Sequence, residues 1–274
     1  MPNINYWSNR KEREEHAVHH TMLMEQLYKE ETDDTVARSK IYSPDTKFQE
    51  NEERWTETVF HLVDGGSVDV IMLLADSVYH MAVLNFASHT HPGGQFLNGS
   101  SAQEESLCHE SNLYNVLSEF KDYYRENHNT RNDFMYCNRG IYSPDVRFVR
   151  GDWEVPCDVI TCAAPNLAGN RKFHNVKVSP EENDRILRER CRFVLEMAKE
   201  NRVEMLILGA FGCGVFGQDP ERVATHFCDL LTYDFANCFK HVEFAIPVRA
   251  NPENYEAFKK VLTRYGLILD FSKK

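Results

Sequence analysis

The sequence predicts an α/β fold in three layers, and three observations carry that prediction. Short apolar stretches suited to buried strands alternate with longer stretches whose apolar residues recur at helical spacing. Two glycine-rich segments each stand between such a strand and the next helix, and open α/β sheets place their ligand cleft at strand C-terminal ends. No long internal repeat and no low-complexity linker interrupts the chain; the echo of Ile41 to Asp45 in Ile141 to Asp145 is too short to be one.

Residues 10–31 have a charged, helical pattern. Arg10-Lys11-Glu12-Arg13-Glu14-Glu15 mixes signs as a solvated helix face does, and Met22, Leu23 and Leu27 give one apolar side. A loop with Ser43-Pro44-Asp45 follows, and the core begins near Trp55. Residues 1–54 are therefore expected to be a helical accessory packed on a main domain of residues 55–274. Thr56 to Val63 alternates as a strand, Asp64-Gly65-Gly66 turns, and Ser67 suits the N-cap of a short helix to Asp76. His80 to Phe86 is the next strand. Helices cover about residues 102–126, with a break near Asn112, and residues 127–138 form a polar connection. Ile141 to Val149 and Cys157 to Ala163 are strands, the second closed by Ala164-Pro165-Asn166. Ser179-Pro180-Glu181-Glu182 starts a helix with proline at its first position, and Ile186, Leu187, Val194, Leu195 and Ala198 mark its apolar face through Glu200. Met205 to Leu208 is a strand, Asp219-Pro220 opens a helix to about Leu231, Val242 to Ile246 is the last strand and residues 252–265 the last helix.

At 274 residues the chain can bury a large core, as one large domain or two small ones. A hydrophobic content of 42% with 27% charged residues is that of a soluble globular protein. No apolar run reaches membrane-spanning length, and Met1-Pro2-Asn3-Ile4-Asn5-Tyr6 lacks the basic and apolar regions of a signal peptide. The eight cysteines contain no CxxC pair, which fits a reducing compartment, with the cytoplasm expected. A net charge of −11 argues against general nucleic-acid binding, so any phosphate site has to be local and built from backbone donors. A monomer is expected.

Residues 85–105 carry most of the functional information. They run from Asn85 at the end of an apolar strand, through His89-Thr90-His91-Pro92-Gly93-Gly94-Gln95, to Gln103-Glu104-Glu105 at a helix start. Glycines let backbone N–H groups approach a ligand closely, and a helix N-terminus adds unpaired donors and partial positive charge. Two carboxylates there either complement the helix dipole or do chemistry at its mouth. The second loop, Gly209-Ala210-Phe211-Gly212-Cys213-Gly214-Val215-Phe216-Gly217, has four glycines in nine residues and can cradle a diphosphate, although a tight strand–helix turn would use the same residues. It is not a P-loop, because no Lys-Ser/Thr follows Gly217. A nucleophilic Cys213 has no Cys-His motif to support it. His89, His91, Cys108 and His109 are zinc-ligand types without a fourth ligand at usable spacing, so no metal is expected.

The glycine pair, its spacing and the Gln103-Glu104-Glu105 triplet resemble the signature of poly(ADP-ribose) glycohydrolases, and the flanks resemble the bacterial-type branch, a macrodomain variant. Gln95 stands where the family has a third glycine, and His91 where it has an asparagine. The second loop, Ile141-Tyr142-Ser143-Pro144 and Val159 to Asn166 are similar to family segments too, so the resemblance runs from about Trp55 to Leu230. It implies a macrodomain-like fold with a mixed central sheet flanked by helices. It also implies hydrolysis of ribose–ribose O-glycosidic bonds, with Glu105 as acid/base and Glu104 and Gln103 holding ribose hydroxyls. Substrate binding is assigned to Asn85, Gly93, Gly94, Gln95, Gly212, Cys213, Gly214, Val215 and Phe216, the backbone of the two glycine loops taking the diphosphate and Phe216 bordering the distal ribose. Asp64 and Gly66 fall where related macrodomains read adenine. The implied ligands are poly(ADP-ribose), ADP-ribose and ADP-ribosylated macromolecules, with no cofactor. Two other readings stay open on the residues alone: a reader that binds ADP-ribose without turnover, motivated by Gln95 and His91, and a hydrolase that frees ADP-ribose from modified protein or nucleic acid.

Overall fold

Seven strands form one sheet in the order β1-β4-β5-β3-β6-β7-β2 in the computed structural model, which describes residues 9–175 and 177–268. The strands are β1 (Lys40–Tyr42), β2 (Val59–Val63), β3 (Met81–Phe86), β4 (Gly140–Arg150), β5 (Trp153–Cys162), β6 (Met205–Leu208) and β7 (His241–Ala245). β1, β4 and β5 pair antiparallel, while β5, β3, β6, β7 and β2 run parallel, so the sheet is mixed. The segment read for a signal peptide, residues 1–6, lies outside the described residues.

The central strands β3, β6 and β7 are short and mostly buried on both faces, as strands covered by helices on both sides must be. Leu84, Ile160, Leu206 and Phe244 face a core built with α8 (Pro180–Glu200), α9 (Pro220–Asp229) and α10 (Pro252–Arg264). Val83, Val159, Ile207 and Ala245 face a second core with α1 (Arg10–Leu27), α3 (Ser67–Leu73), α4 (Gln103–His109), α5 (Leu113–Ser118) and α6 (Lys121–Asn129). Two cores on two faces of one sheet make the three layers. Ser179 caps α8 and Asp219 caps α9 by accepting the N–H of Glu182 and Arg222, each with proline in the first turn.

Several elements differ from the sequence expectation. The N-terminal helix breaks at Tyr28 into α1 and α2 (Lys29–Arg38), and the chain then supplies β1, an edge strand. β1 pairs Ile41 with Ile141, so the two short echoes lie side by side. The segment up to residue 54 thus joins the main sheet. Gly66, not Ser67, is the N-cap of α3. The helical stretch after the first loop is three short helices, broken at Glu110–Asn112 and Glu119–Phe120. β5 begins at Trp153, four residues before its apolar run, and α7 (Leu167–Phe173) follows Asn166, whose side chain caps it by accepting the Gly169 N–H. No helix among the described residues is long and apolar enough to cross a membrane, and all eight cysteines are free thiols.

Candidate active site

The C-terminal ends of β3 and β6 each open into a glycine loop, and the two loops flank one mouth. β3 leads through His89 and the Gly93-Gly94 turn to α4, whose first residues are the Gln103-Glu104-Glu105 triplet. Glu104 and Glu105 are both buried, although two acids in a first helical turn ordinarily point into solvent. Gly94 explains how they pack. It sits at φ +61°, and a Cβ there would stand 2.6 Å from Glu105 Oε1 and 2.9 Å from Glu104 Oε2. Only a residue without a side chain lets the turn lie against both carboxylates.

Backbone donors then fix each group. Ser88 N–H donates to Glu104 Oε2 at 2.6 Å, and the nearby Gly93 N–H favours the charged form of Glu104. The Asn85 amide donates to Glu104 Oε1 at 3.3 Å, and Gln95 N–H donates to Glu105 Oε1 at 2.9 Å. Burial pushes the Glu104 carboxyl up to about 8; the Ser88 N–H pulls against that shift and the neighbouring Glu105 charge adds to it. Glu104 therefore carries a proton at neutral pH.

Within the first loop several backbone amides have partners inside the protein. Gly94 N–H donates to the His91 carbonyl at 3.1 Å, and Gln95 N–H donates to Glu105. The Gln95 amide thus aims Glu105, and the Gly94 amide closes the turn. Gln95 itself has φ −110°, an ordinary conformation, so its position has no need of glycine; its side chain is exposed and accepts from the Asn98 amide. Asn85 is completely buried behind Glu104, and its amide also donates to Thr161 Oγ1 at 3.3 Å. Gln103 likewise turns inward. Its amide donates to Ser67 Oγ and the Leu84 carbonyl at 2.9 Å, and its oxygen accepts the Phe86 N–H at 2.8 Å. It clamps α4 to β3.

The second loop is the open one. Gly212 has φ +75°, and a Cβ there would strike Ala164 at 2.6 Å. Cys213 N–H donates to the Ala210 carbonyl, and Gly217 and Gln218 N–H close back on Gly214 and Gly212. The N–H groups of Gly212, Gly214, Val215 and Phe216 donate to no acceptor among the described residues. Gly214 opens onto empty space and Val215 is 82% exposed. A run of unpaired amides on an exposed turn is a nest for an anion. Burial pushes the Cys213 thiol far up, which removes it as a thiolate nucleophile.

Phe216 meets Tyr136 edge-on at 6.0 Å, and Tyr136 stacks on His89 at 4.0 Å. This aromatic line ties the second loop to the first. Burial pushes His89 down to about 3, so its ring is neutral. Tyr136 was not legible in the sequence: it lies in the polar connection, where Asn132, Asp133, Phe134 and Tyr136 all have positive φ without a glycine among them. The fully buried Arg190 holds that connection by donating to Asn138 Oδ1 and the Met135 and Ala163 carbonyls. His89 stacks on Tyr136, His91 is exposed beside Thr90, His109 packs on Phe96 and His16, and the buried Cys108 lies beneath Gly93, so these four zinc-ligand types do not converge. Asp64 accepts the Val248 N–H at 2.8 Å just beyond β7, while Gly66 N–H is taken by Asp69.

A mixed, helix-covered sheet with two glycine loops at its strand ends and a buried acid pair beneath one of them defines a macrodomain-like hydrolase. The comparisons narrow that class. Residues 14–151 match the family model of the microbial-type PARG catalytic domain, PARG being poly(ADP-ribose) glycohydrolase. A poly(ADP-ribose) glycohydrolase structure from Thermomonospora curvata superposes with a TM-score of 0.83 at 29% identity, covering 92% of this chain and 100% of that one. The same organism's enzyme bound to the inhibitor ADP-HPD gives 0.80 at 30% identity, over 92% and 99%. The Deinococcus radiodurans enzyme in complex with ADP-ribose gives 0.76 at 31% identity, over 85% and 97%. A search of curated proteins gave no match. The chain belongs to the microbial-type poly(ADP-ribose) glycohydrolase family and is a glycosidase.

Proposed function

We propose that the chain hydrolyses the ribose–ribose O-glycosidic bond of poly(ADP-ribose), releasing ADP-ribose, with Glu105 as acid/base. One observation carries this reading: two buried carboxylates, aimed by backbone donors over a glycine that cannot be larger, with a proton retained at neutral pH. Departure of a glycosidic oxygen through an oxocarbenium-like state needs a proton donor and a means of activating water. The pair shares one proton, resting on Glu104; we assign its delivery to the leaving oxygen to Glu105, which as a carboxylate afterwards takes a proton from the attacking water. Glu104, protonated in the resting protein, offers one O–H to a ribose hydroxyl and fixes the sugar in a near-attack position. The unpaired N–H groups from Gly212 to Phe216 receive the diphosphate, and Phe216 forms the wall of the distal ribose site. Gln103 and Asn85 act as positioning residues behind the acids.

The ligand class agrees with the relatives solved with ADP-ribose and with ADP-HPD. Gln95 supplies no reason for a silent reader, because its backbone is an ordinary one. The segment up to residue 54 is proposed as an accessory layer that steadies the first loop: Arg10 and Arg13 donate to the carbonyls of Asn98 and Gly99, just after the Gly93-Gly94 turn. We place the protein in a reducing compartment, the cytoplasm, as a monomer. Incubation of the chain with labelled poly(ADP-ribose) tests the proposal. Free ADP-ribose accumulating with time is the expected product; binding of the polymer with no ADP-ribose released contradicts it.

A further inference from the structure

Away from the catalytic mouth, three side chains on one sheet face stand in a metal-ligand arrangement. β2 is the last strand of the sheet and pairs only with β7. Its register sets His61 opposite Glu243, and the two-residue repeat of β7 places His241 on the same face as Glu243. One ligand atom from each of the three lies within 4.8 Å of the others. Glu243 is buried, with its Oε1 2.8 Å from His61 Nδ1. The His241 ring lies nearly parallel to that of His61, 12° apart, and Tyr79 supports it with a 5.0 Å ring separation. His241 takes no part in the His61–Glu243 bond. That pair alone therefore does not account for a second imidazole held on the same side.

We propose that His61, His241 and Glu243 form a binding site for a divalent transition metal of the zinc type, which fastens the edge strand β2 to β7. Two imidazoles and a carboxylate suit zinc, whereas calcium and magnesium take oxygen ligands. Metal–nitrogen and metal–oxygen bonds run about 2.0–2.2 Å, so the three atoms have to draw together by roughly 1 Å. The half-exposed His61 side chain is free to do this, turning from Glu243 to the ion. Three protein ligands leave a fourth position for water. His241 is the first residue of its strand, at the end of the sheet opposite the loops that hold Glu104 and Glu105. The role is accordingly structural and separate from glycoside cleavage.

The test is zinc sulfate titration of the whole chain by calorimetry, joined to hydrogen exchange of the β2 amides. Wild type is expected to take one ion per chain at a saturable site, with slower exchange at residues 59–63 in its presence. His61→Ala, at a half-exposed side chain, should weaken that binding by roughly 10–100-fold or more and abolish the change in exchange. Glu243→Gln should do the same, provided its melting curve remains cooperative. Thiols elsewhere also take zinc, so the comparison between variants decides. Binding of equal affinity and stoichiometry in wild type and His61→Ala, or no change in β2 exchange on saturation, overturns the proposal.

Discussion

Gly94 is the residue on which the acid pair depends. A Cβ there meets both carboxylates at under 3 Å and also has to adopt a left-handed backbone. Gly94→Ala should cost about 1–2 kcal/mol of stability from the backbone alone. It should lower turnover by on the order of 10²-fold, since misplacing a reacting group by about 1 Å has that effect. Steady-state kinetics beside a thermal melt separate the two losses. Glu104 allows a second prediction. Its pKa rises from 4.5 to about 8 on folding, so the native state binds the proton more tightly than the unfolded chain. The associated stability is whole below pH 4.5 and drains as pH climbs towards 8. Glu104→Gln lacks this titration and should gain on wild type through that window, by on the order of 2–4 kcal/mol at its alkaline end. Melting curves taken along the window should show the gap opening; a gap constant with pH contradicts a raised Glu104 pKa. The triplet was legible in sequence as a cluster, but its internal roles were not. Asn85 and Gln103 turn inward because β3 and α4 pack face to face, and nothing in the spacing of a strand and a helix start reveals that contact.

At the scale of elements, the proposed function gives ligand recognition to the second loop and chemistry to the first. Phe216 is only partly buried and leans on Tyr136 edge-on. Phe216→Ala should weaken ADP-ribose binding, by about 1–3 kcal/mol if the ring covers a sugar face, and leave a cooperative melt. Calorimetry with a melt as control decides; loss of the cooperative transition would make Phe216 a packing residue. α8 and α9 were legible nearly to the residue because Ser179-Pro180 and Asp219-Pro220 are strong start signals with long apolar stripes behind them. β1 was not, since three residues of edge strand carry no periodicity and are fixed by pairing with β4. α7 follows Pro165-Asn166, which reads as a turn until the Asn166 side chain caps what comes next. The strained run from Asn132 to Tyr136 was illegible for a related reason. Arg190 and Asn166, both distant in sequence, hold it in place.

Across the whole molecule, the sheet gathers two loops from the ends of β3 and β6, adjacent parallel strands, around a single mouth. With a net charge of −11 the chain has no bulk attraction for a polyanion, and the proposed function gives recognition to the backbone donors of Gly212, Gly214, Val215 and Phe216. ADP-ribose should thus bind much more tightly than AMP or ribose phosphate, neither of which spans nest and ribose wall together; equal affinities by calorimetry would contradict a diphosphate nest. The central claim is that Glu105 acts on the bond being broken while the second loop holds the ground state. Its most direct test is Glu105→Ala, assayed on labelled poly(ADP-ribose) and titrated with ADP-ribose. The account predicts a fall in ADP-ribose release of about 10²–10⁴-fold with ADP-ribose affinity retained. Release at the wild-type rate by folded Glu105→Ala protein would contradict it.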